Sequence, residues 1–305
     1  MSDNKVAPGW EYLPKDCMGA DAVKHAESDR YILVANRPFD HIDTLINDRM
    51  LAVLAYQVRR AAGRVIQFLD IGGGPESAYA RGVAGHPLFE NKVRATNLDI
   101  TAKDEPDRTP IEHLQRGFSP SQKIFGPLPA DTPVWDGPAD IVREDLFNIK
   151  PGDLPPADVI WSQQVADYYA DTKADRTVEF IDRCAAQLAP GGVAYINLNG
   201  GVMARVGVMD MWTILPGMRT SSPLQKICDA RGVSIEPHLA ETQLDGRCFV
   251  MGGSVGKYAK LRNLNGSNPI RDEGNLIDSV VPTLTPFLKQ RQNTWGKWHR
   301  ENMIL

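Results

Sequence analysis

The sequence has no run of about eighteen consecutive apolar residues, so no membrane-spanning helix is expected. Its opening Met1-Ser2-Asp3-Asn4-Lys5 has none of the apolar core of a secretory signal. Cysteine is scarce and scattered, at Cys17, Cys184, Cys228 and Cys248, with no C-x-x-C pair. That spacing excludes a cysteine zinc site and a redox dithiol, and leaves buried or neutral thiols in a reducing compartment. The expected location is the cytoplasm, and no metal ligand set is expected. Without a secretory signal, the sequon Asn265-Gly266-Ser267 reads as chance. Excess positive charge is lacking too: 34 Lys and Arg stand against 38 Asp and Glu, a net charge of −4. A nucleic-acid binder acting through bulk charge is excluded on that count. No internal repeat is visible.

What is present is an ordinary soluble composition, 42 % hydrophobic and 24 % charged, over 305 residues. That length accommodates one large domain or two small ones. The chain is organised around Val65-Ile66-Gln67-Phe68-Leu69-Asp70-Ile71-Gly72-Gly73-Gly74-Pro75-Glu76. An apolar, β-favouring run ends on an acid and empties into three glycines. This pattern predicts a buried parallel strand followed by a tight loop that a ligand can approach closely.

The stretch 1–27 is polar and irregular, with Trp10 and Tyr12 either pinning it to the body or lying on an exposed tail. An apolar run covers Tyr31 to Val34. Apolar residues recurring at three and four from Phe39 to Ala62 predict one helix, with Asp40 as its cap and Arg59 and Arg60 at its C-terminus. Further strands are expected at Val93–Ile100, Ala139–Leu146, Ala157–Ser162 and Val193–Asn199, with helices near 78–84, 174–188 and 223–231. Two β runs, Val233 to Thr242 and Arg247 to Val255, flank Leu244-Asp245-Gly246, a hairpin signal. From Lys257 a polar loop precedes a helix starting at Leu276. The division follows: an N-terminal arm and helical lid over 1–62, an α/β domain over 63–256 with an insertion at 101–138, and a C-terminal helical tail over 257–305.

Alternating strands and helices predict a doubly wound, mainly parallel α/β sheet with an antiparallel C-terminal hairpin. Ligands in such sheets bind at the carboxyl ends of the strands. Asp70, Asp99, Asp145 and Ser162 each fall at such an end.

These residues resemble the class I S-adenosylmethionine-dependent methyltransferases over roughly 60–255. Phe68-Leu69-Asp70-Ile71-Gly72-Gly73-Gly74-Pro75 is similar to that family's first motif, and Asp99 to its ribose-binding acid. Glu144-Asp145-Leu146 is similar to its adenine-contacting segment. Asp158-Val159-Ile160-Trp161-Ser162-Gln163-Gln164 is similar to its fourth-strand motif, and Leu188-Ala189-Pro190-Gly191-Gly192 to the turn before strand five. The resemblance implies the Rossmann-like methyltransferase fold and S-adenosyl-L-methionine as cofactor. It implies that Gly72, Gly73 and Gly74 lie against the methionine portion, with Asp70 near its amino group. Asp99 would hold the ribose hydroxyls. Asp145 would accept from the adenine amine, with Ile100 and Leu146 on the ring faces. Ser162 and Gln163 complete the cofactor set.

The chain departs from the family pattern at Glu76, where glycine is common, and in the length of the insertion after Asp99. A dinucleotide fingerprint would need glycine or alanine at Ser77, and a Walker A loop would need Gly-Lys-Ser/Thr.

Methyl transfer mainly requires alignment and exclusion of water, and a base only where the nucleophile must lose a proton. Asp167, Tyr168 and Tyr169 are the candidate catalytic residues, with His41, His86, His113 and His238 as weaker candidate bases. No Asn-Pro-Pro-Tyr follows strand four, which in this family argues against base methylation. A small-molecule acceptor is the expectation. Met203, Met209, Met211, Trp212 and Met218 are candidate pocket residues, with core filling the plainer reading. An alternative of the same fold transfers the aminocarboxypropyl group or cyclises the cofactor, releasing methylthioadenosine, with Glu76 or Asp167 as base. A third reading is a non-catalytic cofactor-binding or assembly protein. Trp295 and Trp298, three apart on one helical face, are then its partner or homodimer surface.

Overall fold

The computed structural model describes residues 6–13, 22–27, 31–33, 39–46, 48–104, 134–163, 165–166, 174–198, 200–208, 214–217, 222–239, 249–250, 253–254, 257–265 and 269–297. In chain order the strands and helices are β1 (Trp10–Leu13), β2 (Ala22–His25), β3 (Tyr31–Leu33), α1 (Phe39–Leu45), α2 (Arg49–Arg60), β4 (Ile66–Ile71), α3 (Ala78–Gly85), β5 (Val93–Leu98), β6 (Asp140–Val142) and β7 (Ala157–Ser162). There follow α4 (Ala174–Gln187), β8 (Leu188–Asn197), α5 (Gly200–Arg205), α6 (Pro223–Arg231), β9 (Val233–Leu239), β10 (Phe249–Val250), β11 (Gly253–Ser254), β12 (Lys257–Asn263) and α7 (Pro269–Arg291).

The central sheet has seven strands in the order β6-β5-β4-β7-β8-β12-β9. The pairs β6/β5, β5/β4, β4/β7 and β7/β8 are parallel, and β12 is antiparallel to both its neighbours. The parallel strands β5 and β6 wind outward from β4 on one side. The others wind outward on the opposite side, and a late antiparallel strand is inserted before the edge. This is the Rossmann-like methyltransferase fold. Its topological switch point lies between β4 and β7, where ligands of such sheets bind.

Alternation along the strands builds a core on each face. Ile66 and Phe68 pack with Leu54, Tyr79, Trp161 and Tyr195 beneath α1, α2, α3 and α7. Leu69 and Ile71 pack with Ile160, Phe180, Ile196 and Ile235 beneath α4 and α6. The central strands β4 and β7 are buried on both faces, with only Gln67 half-buried, as a parallel sheet requires.

Four expectations are corrected. The antiparallel partner of β9 is β12, so Lys257–Asn263 is a strand inside the sheet, not a polar loop. Phe249–Val250 and Gly253–Ser254 instead pair with each other as a separate hairpin, and Asp245-Gly246 lies outside the described residues. Charge concealed the strand: Lys260 is buried but meets Glu236 at 3.6 Å and the Tyr195 ring, while Arg262 meets Glu236 at 2.9 Å. The single helix expected over 39–62 is two helices. Asp43 accepts the backbone N–H groups of Met50 (2.6 Å) and Leu51 (3.0 Å), capping a new start at α2, while Asp48 sits in the left-handed region at φ 56°. Asp40 is not a cap; it is buried against Arg291 at 2.8 Å. Finally, Trp295 is fully buried beyond α7, so it offers no partner surface; Trp298 lies outside the described residues.

The N-terminal segment contains an antiparallel sheet, β1-β2-β3. Ala7, Trp10 and Val23 from it join the core around Ile71, Leu98, Ile100 and Leu146, so Trp10 does pin the arm to the body. Among the described residues no helix is long and apolar enough to cross a membrane.

Candidate functional site

The site is built from the loop after β4. Gly72 and Gly74 adopt φ +79° and +81°, conformations that side chains rarely tolerate. Gly73 is glycine for a different reason. A Cβ there would overlap Asp70 Oδ2 and lie 2.6 Å from Asn97 Oδ1. A Cβ on Gly72 would overlap the Val165 side chain. At both positions the glycines accommodate neighbours from within this chain.

Asp99 ties the loop to the next strand end. Its Oδ2 accepts Gly74 N–H at 2.9 Å, and its Oδ1 accepts Thr101 N–H at 2.6 Å and Thr101 Oγ1 at 2.5 Å. A carboxylate offers about four acceptor sites, so roughly one remains for a ligand hydroxyl. Burial pushes this carboxyl up, while the Thr101 and Gly74 bonds pull it down.

Asn97, which sequence reasoning passed over as a strand residue, clamps the loop. Its Nδ2 donates to Gly74 O at 2.9 Å and Ser77 Oγ at 2.7 Å. Only the register of β5 against β4, which sets it beside Asp70, reveals this role. Asp70 is 2 % exposed, beneath Gly73. Burial pushes its carboxyl well up, the nearby Asp99 charge adds to this, and the Ala80 backbone N–H opposes it.

Ser162 and Gln163 end the neighbouring β7. Ser162 Oγ and Gln163 Nε2 are buried and have no hydrogen-bond partner among the described residues, while Gln163 Oε1 accepts from Tyr258 OH at 3.1 Å. Unpartnered polar atoms at a strand end beside the glycine loop suit a polar ligand. Together with the residual acceptor capacity of Asp99, they fit the amino-acid and ribose portions of a nucleoside cofactor.

The base end is closed by the chain's own arm. Asp145 Oδ1 accepts Phe147 N–H at 3.0 Å, and its Oδ2 accepts the Trp10 indole N–H at 3.2 Å. Ala7 N–H donates to Ile100 O at 2.7 Å. Ile100 and Leu146, expected on the faces of an adenine ring, are 4 % and 2 % exposed.

Glu76 is buried, and its Oε1 pairs with Lys103 Nζ at 2.9 Å. It serves that ion pair rather than standing free above the loop. His86 lies in a ring cluster with Phe39, Phe89, Trp135 and Phe287, and burial pushes it down to about 3. His238 is also pushed down to about 3 by burial and by Arg49, Lys260 and Arg262, and its Nε2 accepts Arg49 Nε at 3.1 Å. Neither is a strong base near neutrality. Met203 is fully buried in the core. Asp167, Tyr168, Tyr169, His113, Met209, Met211, Trp212 and Met218 lie outside the described residues, as does the side chain of His41. Among the described residues no cluster of three His, Cys, Asp or Glu is placed to hold a metal ion.

No family model and no curated protein matches this chain. Solved structures with a similar course of chain include the magnesium protoporphyrin IX methyltransferase of Synechocystis PCC 6803 with bound SAM. It is 13 % identical, covering 73 % of this chain and 78 % of that one, at a TM-score of 0.33. The N-methyltransferase NodS of Bradyrhizobium japonicum WM9, in complex with S-adenosyl-L-homocysteine, is 15 % identical, covering 71 % and 87 %, at 0.32. An amino pentose methyltransferase from Micromonospora echinaspora with bound SAM is 12 % identical, covering 70 % and 90 %, at 0.35. At these scores the likenesses carry no argument about activity. The fold assignment rests on the strand order and on the antiparallel β12.

Proposed function

We propose that this chain is an S-adenosylmethionine-dependent methyltransferase acting on a small-molecule acceptor by direct in-line transfer. The observation that carries the reading is the coupling of Asp99 to the glycine loop through Gly74 N–H, at the switch-point side of a sheet in the methyltransferase strand order. On this reading Asp99 receives a ribose hydroxyl, and Ser162 and Gln163 meet the amino-acid portion. Asp145 receives the adenine amine once Trp10 releases it. The bound cofactor supplies an already activated methyl group. The protein's work is then to align the acceptor and exclude water, with Asp167, Tyr168 and Tyr169 as the candidates for taking a proton.

The alternative chemistry, which would release methylthioadenosine, draws no support from Glu76, because that carboxylate pairs with Lys103. Calorimetry with S-adenosylhomocysteine tests the reading first, and micromolar binding is expected. Transfer of a labelled methyl group to candidate acceptors tests it second. Absence of binding at millimolar ligand refutes the cofactor assignment, and release of methylthioadenosine in turnover refutes the methyl-transfer assignment.

A further inference from the structure

The acid under the glycine loop presents an unresolved pair of acceptors. Asp70 Oδ2 and Asn97 Oδ1 are both buried, both lack a hydrogen-bond partner among the described residues, and both crowd the same point above Gly73. They sit on adjacent parallel strands in direct register. The Asn97 amide cannot be turned round to relieve this. Its Nδ2 donates to the Gly74 carbonyl, which is acceptor-only, at 2.9 Å. Two buried acceptor oxygens without a donor are costly, and a carboxylate in that position more so. Within the chain only one of the two residues can become a donor, and that is Asp70, by holding a proton.

We propose that Asp70 is a neutral carboxylic acid whose Oδ2–H donates to Asn97 Oδ1, making it a positioning residue for the glycine loop. The chain of bonds then closes. Asp70 Oδ2–H donates to Asn97 Oδ1, and Asn97 Nδ2 donates to Gly74 O and Ser77 Oγ. The two ends of the loop are joined through two side chains, with Gly73 held between them.

The surroundings agree. The charged and titratable groups facing Asp70 are Asp99, beyond β5, and Tyr79, on α3. Neither supplies positive charge, and Asp70 forms no ion pair among the described residues. Burial and the Asp99 carboxylate both favour the protonated form. This inference deepens the cofactor reading, since the clamped loop is the proposed cradle, but its first test needs no ligand.

Infrared spectra of the wild type and Asp70→Asn at neutral pH provide that test. The wild type should show the carbonyl stretch of an un-ionised carboxylic acid, lost in Asp70→Asn. No difference in that band means Asp70 is ionised and overturns the proposal. Calorimetry with S-adenosylhomocysteine provides the second. The amide introduced by Asp70→Asn can still donate to Asn97 Oδ1, whereas Asp70→Leu cannot, so Asp70→Leu should bind about tenfold more weakly than Asp70→Asn. Equal losses in the two variants, with both folded by circular dichroism, overturn the positioning role. If the wild type binds no S-adenosylhomocysteine, the cofactor reading fails while the infrared result still decides the state of Asp70.

Discussion

Arg291, near the end of α7, is buried with three carboxylates: Asp40 at 2.8 Å, Asp43 at 2.6 Å and Asp48 at 2.8 Å. Fully ionised, the cluster holds one cation against three anions. Burial pushes Asp48 up to about 6 and Asp40 up as well, with Asp43 adding to both and Arg291 opposing. A folded-state value above the unfolded 3.8 means that the native state holds the proton more tightly. The stabilisation is present in full below the unfolded value and is lost as pH rises through about 6. The raised value corresponds to about 3 kcal/mol of stability that is absent at alkaline pH, about half of it lost between pH 5 and 8. Asp48→Asn mimics the protonated form, and asparagine also tolerates the left-handed backbone at this position. The variant should therefore be more stable than wild type at pH 8, and the gap should shrink by about half at pH 5. Urea unfolding across that range measures it. A variant less stable than wild type at pH 8, or a gap that does not change with pH, refutes the reasoning.

Arg291→Met should destabilise by about 3–5 kcal/mol, because three buried carboxylates lose the cation they share; thermal unfolding at pH 8 reads this. Gly73→Ala should lower stability by about 1–3 kcal/mol and weaken S-adenosylhomocysteine binding, since its methyl group overlaps Asp70 Oδ2; unchanged binding would contradict the packing. Trp10→Ala removes the indole N–H that uses Asp145 Oδ2 and should tighten S-adenosylhomocysteine binding several-fold by calorimetry, whereas weaker binding would make the arm part of the bound state. His238→Asn and His86→Asn should leave the shape of the pH–activity profile between pH 5 and 8 unchanged, because both imidazoles titrate near 3.

Much of the site was legible before the fold was known. The acids Asp70, Asp99 and Asp145 and the glycines between them stand out because strand ends and turns depend on local residue types. Asn97 was not legible. Nothing in Val93–Leu98 distinguishes a loop clamp from any strand asparagine until register places it beside Asp70. Trp10 was legible as an anchor, but its attachment to Asp145, 135 residues away, was not. Glu76 read as an anomaly above the loop because its partner Lys103 lies beyond the next strand.

Sequence alone determined the succession of buried parallel strands, the left-handed turns at Gly72 and Gly74, and the acids at the strand ends. Each follows from hydrophobic periodicity or backbone freedom, which act over a few residues. Tertiary structure decided the rest. It put the charged segment Lys257–Asn263 inside the sheet, because Glu236 waits on the adjacent strand. It split one amphipathic stretch into α1 and α2, because Asp43 caps the second helix and Arg291 holds the junction. It also turned Gly73 from a loop residue into the contact point of Asp70 and Asn97. Those outcomes depend on charges and close contacts between distant segments, whose free energies exist only once the chain has brought them together.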